Sequence, residues 1–353
     1  MEFELPITIK TGDVYINFEV LKDGLAVSEE QIILSTANLV LEDIAKESNT
    51  NLMSVDKKIS KEYVVISFNG GCLRVNQRSG EIDEYTAHGQ EYMLTSQDAK
   101  FGRGFTPHIA RAPIDNDKYI VKDWKKQGLL ESDFSLSSQK IKTMESHVLI
   151  SSKFKHSNGL LARLNVLREI KVYSDGRLDI EFTLKNKAPF TKYKLPRFGV
   201  RFVMPKQFSQ TEYFGFGDME SLDDFTEHTL LGLYKTKVGE FEEPHIKPQE
   251  SGSRRGVRFA RVTTSKTGAG LLIEASGAPL YFKASKNFTE DFAKAAHQED
   301  LPKREVTAIS LDKYMRPAGS GICGPQPFAP HDKLFGAKDI EFAFRITPIR
   351  SDE

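Results

Sequence analysis

Six carboxylates could be considered for acid–base work: Glu220, Asp223, Asp224, Glu242, Glu243 and Glu250. Glycoside cleavage uses two carboxylates about 5–9.5 Å apart, one acting as acid and one as nucleophile or base. The spacing singles out no pair here, and most acidic side chains are solvated surface charges. Asp115-Asn116-Asp117 has the opening of a calcium loop but lacks its alternation, its sixth-position glycine and its twelfth-position glutamate. His88, His108, His245 and His297 show no HExxH or HxH spacing, so no metal site is read. There is no Gly-x-Ser-x-Gly elbow. Cys323, in Ser320-Gly321-Ile322-Cys323-Gly324, has no companion histidine identifiable from sequence, and the segment reads as a tight loop with a buried thiol. Gly102-Arg103-Gly104-Phe105 lacks the frame of a phosphate loop, and Gly215-Phe216-Gly217 lacks the third glycine of a dinucleotide fingerprint. Asn287-Phe288-Thr289 matches a glycosylation sequon that matters only in a secreted protein. The residues therefore supply no self-contained catalytic set.

The elements that would position these side chains are strands. Val14, Ile16, Phe18 and Val20 alternate with polar residues, as do Leu178, Ile180, Phe182 and Leu184, and Ile340 to Ile346 repeats the pattern. Period 2 marks half-buried strands. Asp175-Gly176, between Tyr173 and Leu178, predicts a hairpin turn. Helical periodicity is confined to Asp123–Leu130, around Trp124, and Asn287–Ala296, with Thr289 as a candidate cap. The fold class is mainly β.

The chain has 353 residues, 49 basic against 49 acidic, and a formal net charge of +0. A balanced charge argues against an electrostatic grip on nucleic acid or a polybasic membrane patch. Hydrophobic content of 39% with 28% charged residues is that of a globular protein. No apolar run is long enough for a membrane helix, and Met1–Lys10 shows no signal-peptide pattern. With only Cys72 and Cys323, far apart in sequence, the expected setting is reducing and cytoplasmic. Residues 1–47 supply two or three strands, Phe3–Ile9, Val14–Lys22 and Gln31–Leu41, too few to close a sandwich. Glu47 to Asn51 reads as a linker, and strands then continue to the end. The expectation is an incomplete β domain over 1–47 and a complete large one over 48–353. The strands missing from the first must come from a partner chain or from further sequence, because uncovered apolar faces and edges are a liability.

Arg111-Ala-Pro-Ile-Asp-Asn-Asp117 resembles the RAPxDND motif of glycoside hydrolase family 2 β-galactosidases. Five further segments are similar to that family in the same order: Val75–Ile82, Trp124–Gly128, Glu212–Glu220, Pro244–Arg254 and the Gly-rich stretch Arg316–Pro325. The resemblance implies a galactose-mutarotase-like β-supersandwich over 48–353, preceded by the last strands of an immunoglobulin-like β-sandwich. It implies a non-catalytic C-terminal portion or small subunit of a retaining β-galactosidase, inactive alone. Its partner would be a (β/α)8 catalytic barrel, in cis or as a large subunit, and the ligand a β-galactoside or related oligosaccharide. The catalytic glutamates, the Mg2+ and the monovalent cation would all lie in that barrel, with no cofactor in this chain. The resemblance also implies that Ser320, Gly321, Ile322 and Cys323 form the loop facing the sugar beyond the scissile bond. Cys323 stands where many members carry a stacking Trp, and a thiol cannot stack like an indole. Arg111, Asp115, Asn116 and Asp117 read as a mainly structural loop near the active-site mouth: Arg111 would anchor it by charge-assisted hydrogen bonds, the other three by side-chain-to-backbone bonds. Two alternatives stand beside this one. A free-standing carbohydrate-binding module needs an exposed aromatic platform, and the single Trp124 sits on a helix. An aldose mutarotase needs a base and an acid facing one sugar, and sequence picks out no such pair.

Overall fold

A computed structural model describes residues 12–41, 56–94, 104–158, 162–188, 192–319 and 331–351. Three antiparallel sheets make the body of the described residues. A nine-stranded sheet runs, edge to edge, through Leu230–Lys237, Phe208–Gly217, Phe259–Thr264, Gly270–Ser276, Ile340–Ile349, Leu178–Asn186, Ala162–Val172, Val148–Asn158 and Ser135–Thr143. A five-stranded sheet orders Arg254–Val257, Leu280–Ser285, Val306–Met315, Arg197–Pro205 and Thr106–His108. Another five-stranded sheet is a meander from Asp56 to Glu91. Their inner faces share one hydrophobic core, in which Phe182, Phe198, Phe342 and Phe344 stack or meet edge to face. Each such aromatic removes a large apolar surface from water, about 1.5–3 kcal/mol per fully buried side chain.

The expected hairpin at Asp175-Gly176 forms: Val172 pairs with Leu178, Gly176 takes φ +88, and the Asp175 carboxylate accepts from the Arg177 amide. The strand Val14–Lys22 also has the expected bounds, whereas its partner runs Leu25–Ser35 rather than Gln31–Leu41. The turn is Asp23-Gly24, both residues at positive φ, and it starts the returning strand six residues earlier than the alternation suggested. Of the two expected helices, one spans Val121–Gln127 and stops where Gly128 adopts a left-handed conformation. The other spans Thr289–Lys294, capped by the Asp291 carboxylate on the Phe288 amide rather than by Thr289. Phe3–Ile9 and the linker Glu47–Asn51, with the boundary at 47/48, lie outside the described residues.

The five-stranded sheet containing Arg197–Pro205 positions the site. That strand is buried along nearly its whole length. Phe198, Val200, Phe202 and Met204 enter the core, so Arg197, Gly199 and Arg201 face the other way. Along the neighbouring strands Lys283 and Asp312 alternate with the core residues Phe282 and Leu311. The far face of this sheet is thus a buried layer of charge. Gly199 is required within it, because a Cβ there would overlap Asp312 and the Leu311 carbonyl. Among the described residues no helix is long and apolar enough to cross a membrane.

Candidate functional site

The loop leaving the edge strand Thr106–His108 carries Arg111 to Asp117 across this charged face. Arg111 is 2% exposed, and its Nη2 donates to both oxygens of Asp117, at 2.6 and 2.7 Å. Asp117 Oδ2 also accepts from the Ile114 amide at 3.0 Å, closing the single turn Asp115–Asp117. The guanidinium lies 5.5 Å over the ring of the buried Trp124, whose Nε1 donates to the Lys194 carbonyl at 2.6 Å. Arg111 Nη1 donates to the Arg316 carbonyl, and Arg316 pairs with Asp332 at 3.0 Å. The loop is therefore bolted to the segment that begins at Arg316.

That segment is held from both sides of its backbone. Asn116 Nδ2 donates to the carbonyls of Ala318 and Gly319, at 2.9 and 3.4 Å. The Asp224 carboxylate accepts the amides of the same two residues, each at 2.8 Å. Ser320, Gly321, Ile322 and Cys323, which follow, lie outside the described residues. Asp115 contributes its backbone, whose amide donates to Gln249 Oε1 at 3.1 Å.

Of the six carboxylates considered from sequence, Glu250 is the most deeply placed. Its Oε1 accepts from Arg197 Nη2 at 2.9 Å and Lys283 Nζ at 3.2 Å, and its Oε2 from the Ala112 amide at 3.3 Å and Thr289 Oγ1 at 3.5 Å. Burial works to raise its pKa, but Arg197 and Lys283 outweigh it and hold the group at about 2. Asp312 shows the opposite balance: burial pushes it up to about 7 although Arg197 Nε is 3.2 Å away, and Glu250 adds to the rise. Burial, with the nearby cations Arg201, Arg197 and Lys283, drives His108 well below the usual histidine range. Asp223 accepts from Tyr281 Oη at 2.7 Å, and Glu242 lies 3.7 Å from Lys283 Nζ.

Above this layer opens a cleft of about 330 Å3, lined by Arg111, Ile114, Asp115, Asn116, Glu220, Leu222, Phe225, His245, Gln249, Glu250, Ser253, Met315, Ala318 and Gly319. Burial pushes the Glu220 carboxyl up to about 7; Lys283 opposes the rise and Glu250 reinforces it. Two carboxyls driven apart in this way are what an acid–base pair needs. Glu250, however, has both oxygens occupied and is almost wholly buried, so it acts as a keystone for Arg197 and Lys283. Glu220 and His245 both line the cleft, and it is the Glu220 backbone carbonyl, rather than its carboxyl, that accepts from His228 Nε2 at 2.7 Å. Sequence reasoning missed Phe225, Gln249 and Ser253. The last two lie within Pro244–Arg254, where Gly252 at φ +86 marks a tight turn, but nothing in composition marks Phe225 as exposed.

Similarity to known proteins agrees with this architecture. The family model described as "Beta galactosidase small chain" matches residues 69–346. The Beta-galactosidase of Actinobacillus pleuropneumoniae is 28% identical over 227 residues, covering 62% of this chain and 21% of that protein. That of Kluyveromyces lactis is 26% identical over 363 residues, covering 97% of this chain and 33% of that protein. The chain spans about a fifth to a third of the length of these curated relatives. Among solved structures, galactose 1-epimerase from Lactobacillus acidophilus NCFM shares the fold, with a TM-score of 0.50, 7% identity, and coverage of 97% of this chain and 99% of that one.

Proposed function

The chain belongs to the beta-galactosidase small-chain family, and from that premise we propose that it is the non-catalytic portion of a retaining β-galactosidase-type glycoside hydrolase. In this reading it packs on a (β/α)8 catalytic partner, in cis or as a large subunit, and shapes the aglycone side of a β-galactoside site. The Mg2+ and monovalent-cation sites belong to that barrel, and none is assigned to this chain. The observation that carries the reading is the double clamp on Ala318-Gly319, by Asn116 and Asp224. Four side-chain-to-backbone bonds fix the backbone immediately ahead of Ser320, Gly321, Ile322 and Cys323. Such pre-positioning is how a scaffold gives a loop a defined reach toward a ligand. The chain would work in the cytoplasm, where Cys72 remains a thiol.

The hairpin Val14–Ser35 fits the same reading. It carries exposed apolar residues on a two-stranded sheet, Leu25 at 72% among them. It docks on the body through Gln31, which bridges the backbone of Leu231, and through Asp13 on Arg258 at 2.8 Å. We assign residues 1–47 to the end of an immunoglobulin-like sandwich whose remaining strands cover this hairpin, and 48–353 to the supersandwich.

The test is reconstitution. The purified chain should not hydrolyse a chromogenic β-galactoside, its separately expressed barrel partner should be weak, and mixing the two should restore turnover. Hydrolysis by the chain alone, or full activity of the barrel without it, overturns the proposal. A second reading, as an aldose mutarotase, has Glu220 and His245 in one cleft in its favour, and a coupled anomer-interconversion assay on the pure chain decides it.

A further inference from the structure

A second cavity, of about 510 Å3, shares no lining residue with the cleft described above. Its walls come from the end of strand Val306–Met315, the segment 333–336 and the start of strand Ile340–Ile349. Two ties hold these pieces in place. The backbones of Phe335 and Tyr193 exchange hydrogen bonds at 2.7 and 2.8 Å, with their rings centred 6.5 Å apart. Lys185 pairs with Asp339 at 3.0 Å and pins the start of Ile340–Ile349 to the strand Leu178–Asn186. The volume falls within the range of small-molecule sites, about 300–1,000 Å3.

Much of the lining is apolar. Leu195 and Phe335 are buried in the main core, and Tyr314 and Ile340 pack against it. Leu334, by contrast, is 54% exposed, so an apolar guest would remove it from water. The Tyr314 Oη is buried without a hydrogen-bond partner among the described residues. Such a hydroxyl in a native fold calls for a water or a ligand.

The charged part of the lining is mainly basic: Lys313, Lys333 and Lys338, with Asp339 and Glu341. Asp339 is occupied by Lys185, and Lys333 pairs with Asp223 at 3.2 Å. Lys313 is half-buried and has no carboxylate partner among the described residues. Burial, then the like charge of Lys333, holds its ammonium below the usual lysine range. An anion beside Lys313 would relieve both effects. A second negative charge on the guest would meet Glu341, so a monoanion fits better than a dianion such as a phosphate ester.

We propose that this cavity binds a small organic monoanion with an apolar body, an aryl or alkyl carboxylate, its carboxylate paired with Lys313 and its body against Leu334, Phe335 and Leu195. The site is this chain's own and needs no catalytic partner, so its fate is separate from that of the reconstitution.

The test is calorimetric titration of the full chain with 2-naphthoate and with its neutral counterpart 2-naphthalenemethanol. Saturable binding of the naphthoate is expected, about tenfold or more tighter than that of the alcohol, the order of one charge-assisted hydrogen bond. Lys313→Met keeps the apolar stem and removes the charge. It should weaken the naphthoate about tenfold and leave the alcohol unchanged, a split that a residue merely holding the fold would not produce. Leu334→Asp should weaken both ligands, and because Leu334 is exposed this variant remains a valid test even if Lys313→Met folds poorly. Absence of saturable naphthoate binding, equal affinity for the two ligands, or unchanged naphthoate affinity in either variant overturns the proposal.

Discussion

Arg111 is the first residue of the motif that resembles the family, and the structure lets its contribution be worked out. Arg111→Ala removes one partner of a fully buried ion pair and leaves the Asp117 carboxylate in place. Stranding a buried charge in this way costs about 3–5 kcal/mol. Loss of the guanidinium from the Trp124 face adds to that, by about 0.5–2 kcal/mol. One feature works against the loss: Arg316 Nε lies 3.9 Å from Asp117 Oδ1 and supplies a second positive charge. The Ile114 amide also remains bonded to Asp117. We therefore place the net loss near the lower end, about 3 kcal/mol. At about 2–4 °C per kcal/mol for domains of 150–250 residues, thermal unfolding should fall by about 6–12 °C. Differential scanning calorimetry reads this directly. The companion is Arg111→Met with Asp117→Leu, in which no charge is stranded and most of the loss should be recovered, because an apolar pair can replace a buried ion pair at little cost. If Arg111→Ala melts with the wild type and only sugar affinity falls, the guanidinium serves the ligand and the reasoning about the buried pair is refuted.

Further expectations can be stated briefly. Asp224→Ala frees the amides of Ala318 and Gly319, whose hydrogen exchange should accelerate by about tenfold or more while the core strands stay protected; unchanged exchange at those two amides contradicts the clamp. Glu220, with its folded pKa raised from 4.5 to about 7, keeps its proton in the folded form where the unfolded chain has lost it, so its contribution to stability falls as pH rises from about 4.5 to 7 and is constant above. Glu220→Gln should remove that slope, and identical pH profiles of the melting temperature would count against it. Glu250, held at about 2, has the reverse sign: it stabilises above about 4.5 and that stabilisation is lost as pH falls toward 2, so Glu250→Gln should flatten the acid limb. Leu25→Asp on the exposed hairpin should reduce self-association of the chain without altering its melting. Placed in a chain that includes the remaining sandwich strands, the same change should be destabilising; if it is neutral there too, those strands do not cover this face.

How far the fold could be read in advance depended on whether local pattern and tertiary burial agree. Leu178–Asn186 has one buried and one outer face, and its alternation was legible. Arg197–Pro205 is buried on both faces; its alternation is legible, since Arg197, Gly199 and Arg201 interleave with Phe198, Val200 and Phe202, whereas the burial of the two arginines is not. Their burial depends on Glu250, 53 residues away, and on Glu290, 89 residues away, and such pairing leaves no periodic trace. The Asp23-Gly24 turn was a local signal and could have been found, since both residues at positive φ match a tight hairpin turn. The site was legible as a motif and as a list of carboxylates. The ranking among them was not, because burial raises Glu220 while Arg197 and Lys283, from other strands, lower Glu250 against its own burial.

That opposition bears on whether the cleft could itself carry out hydrolysis. Divergent carboxyls are necessary for a glycosidase pair, but each must also reach the reacting sugar. Glu250 cannot do so without giving up Arg197, Lys283, the Ala112 amide and Thr289. Among the described residues, releasing it would leave buried Arg197 paired with Asp312 alone, at 3.2 Å, and buried Lys283 with only the more distant Glu242, at 3.7 Å. Movement of Glu250 toward a ligand is therefore opposed by the same desolvation that gives the sheet its charge pattern. Glu220 is free to donate or accept, but alone it suits recognition or a single proton transfer, not the two-carboxylate displacement. Substituting Glu220 should accordingly leave the hydrolytic rate of the proposed reconstituted enzyme largely intact, and a loss as complete as that from removing a catalytic carboxylate would count against the proposed division of labour.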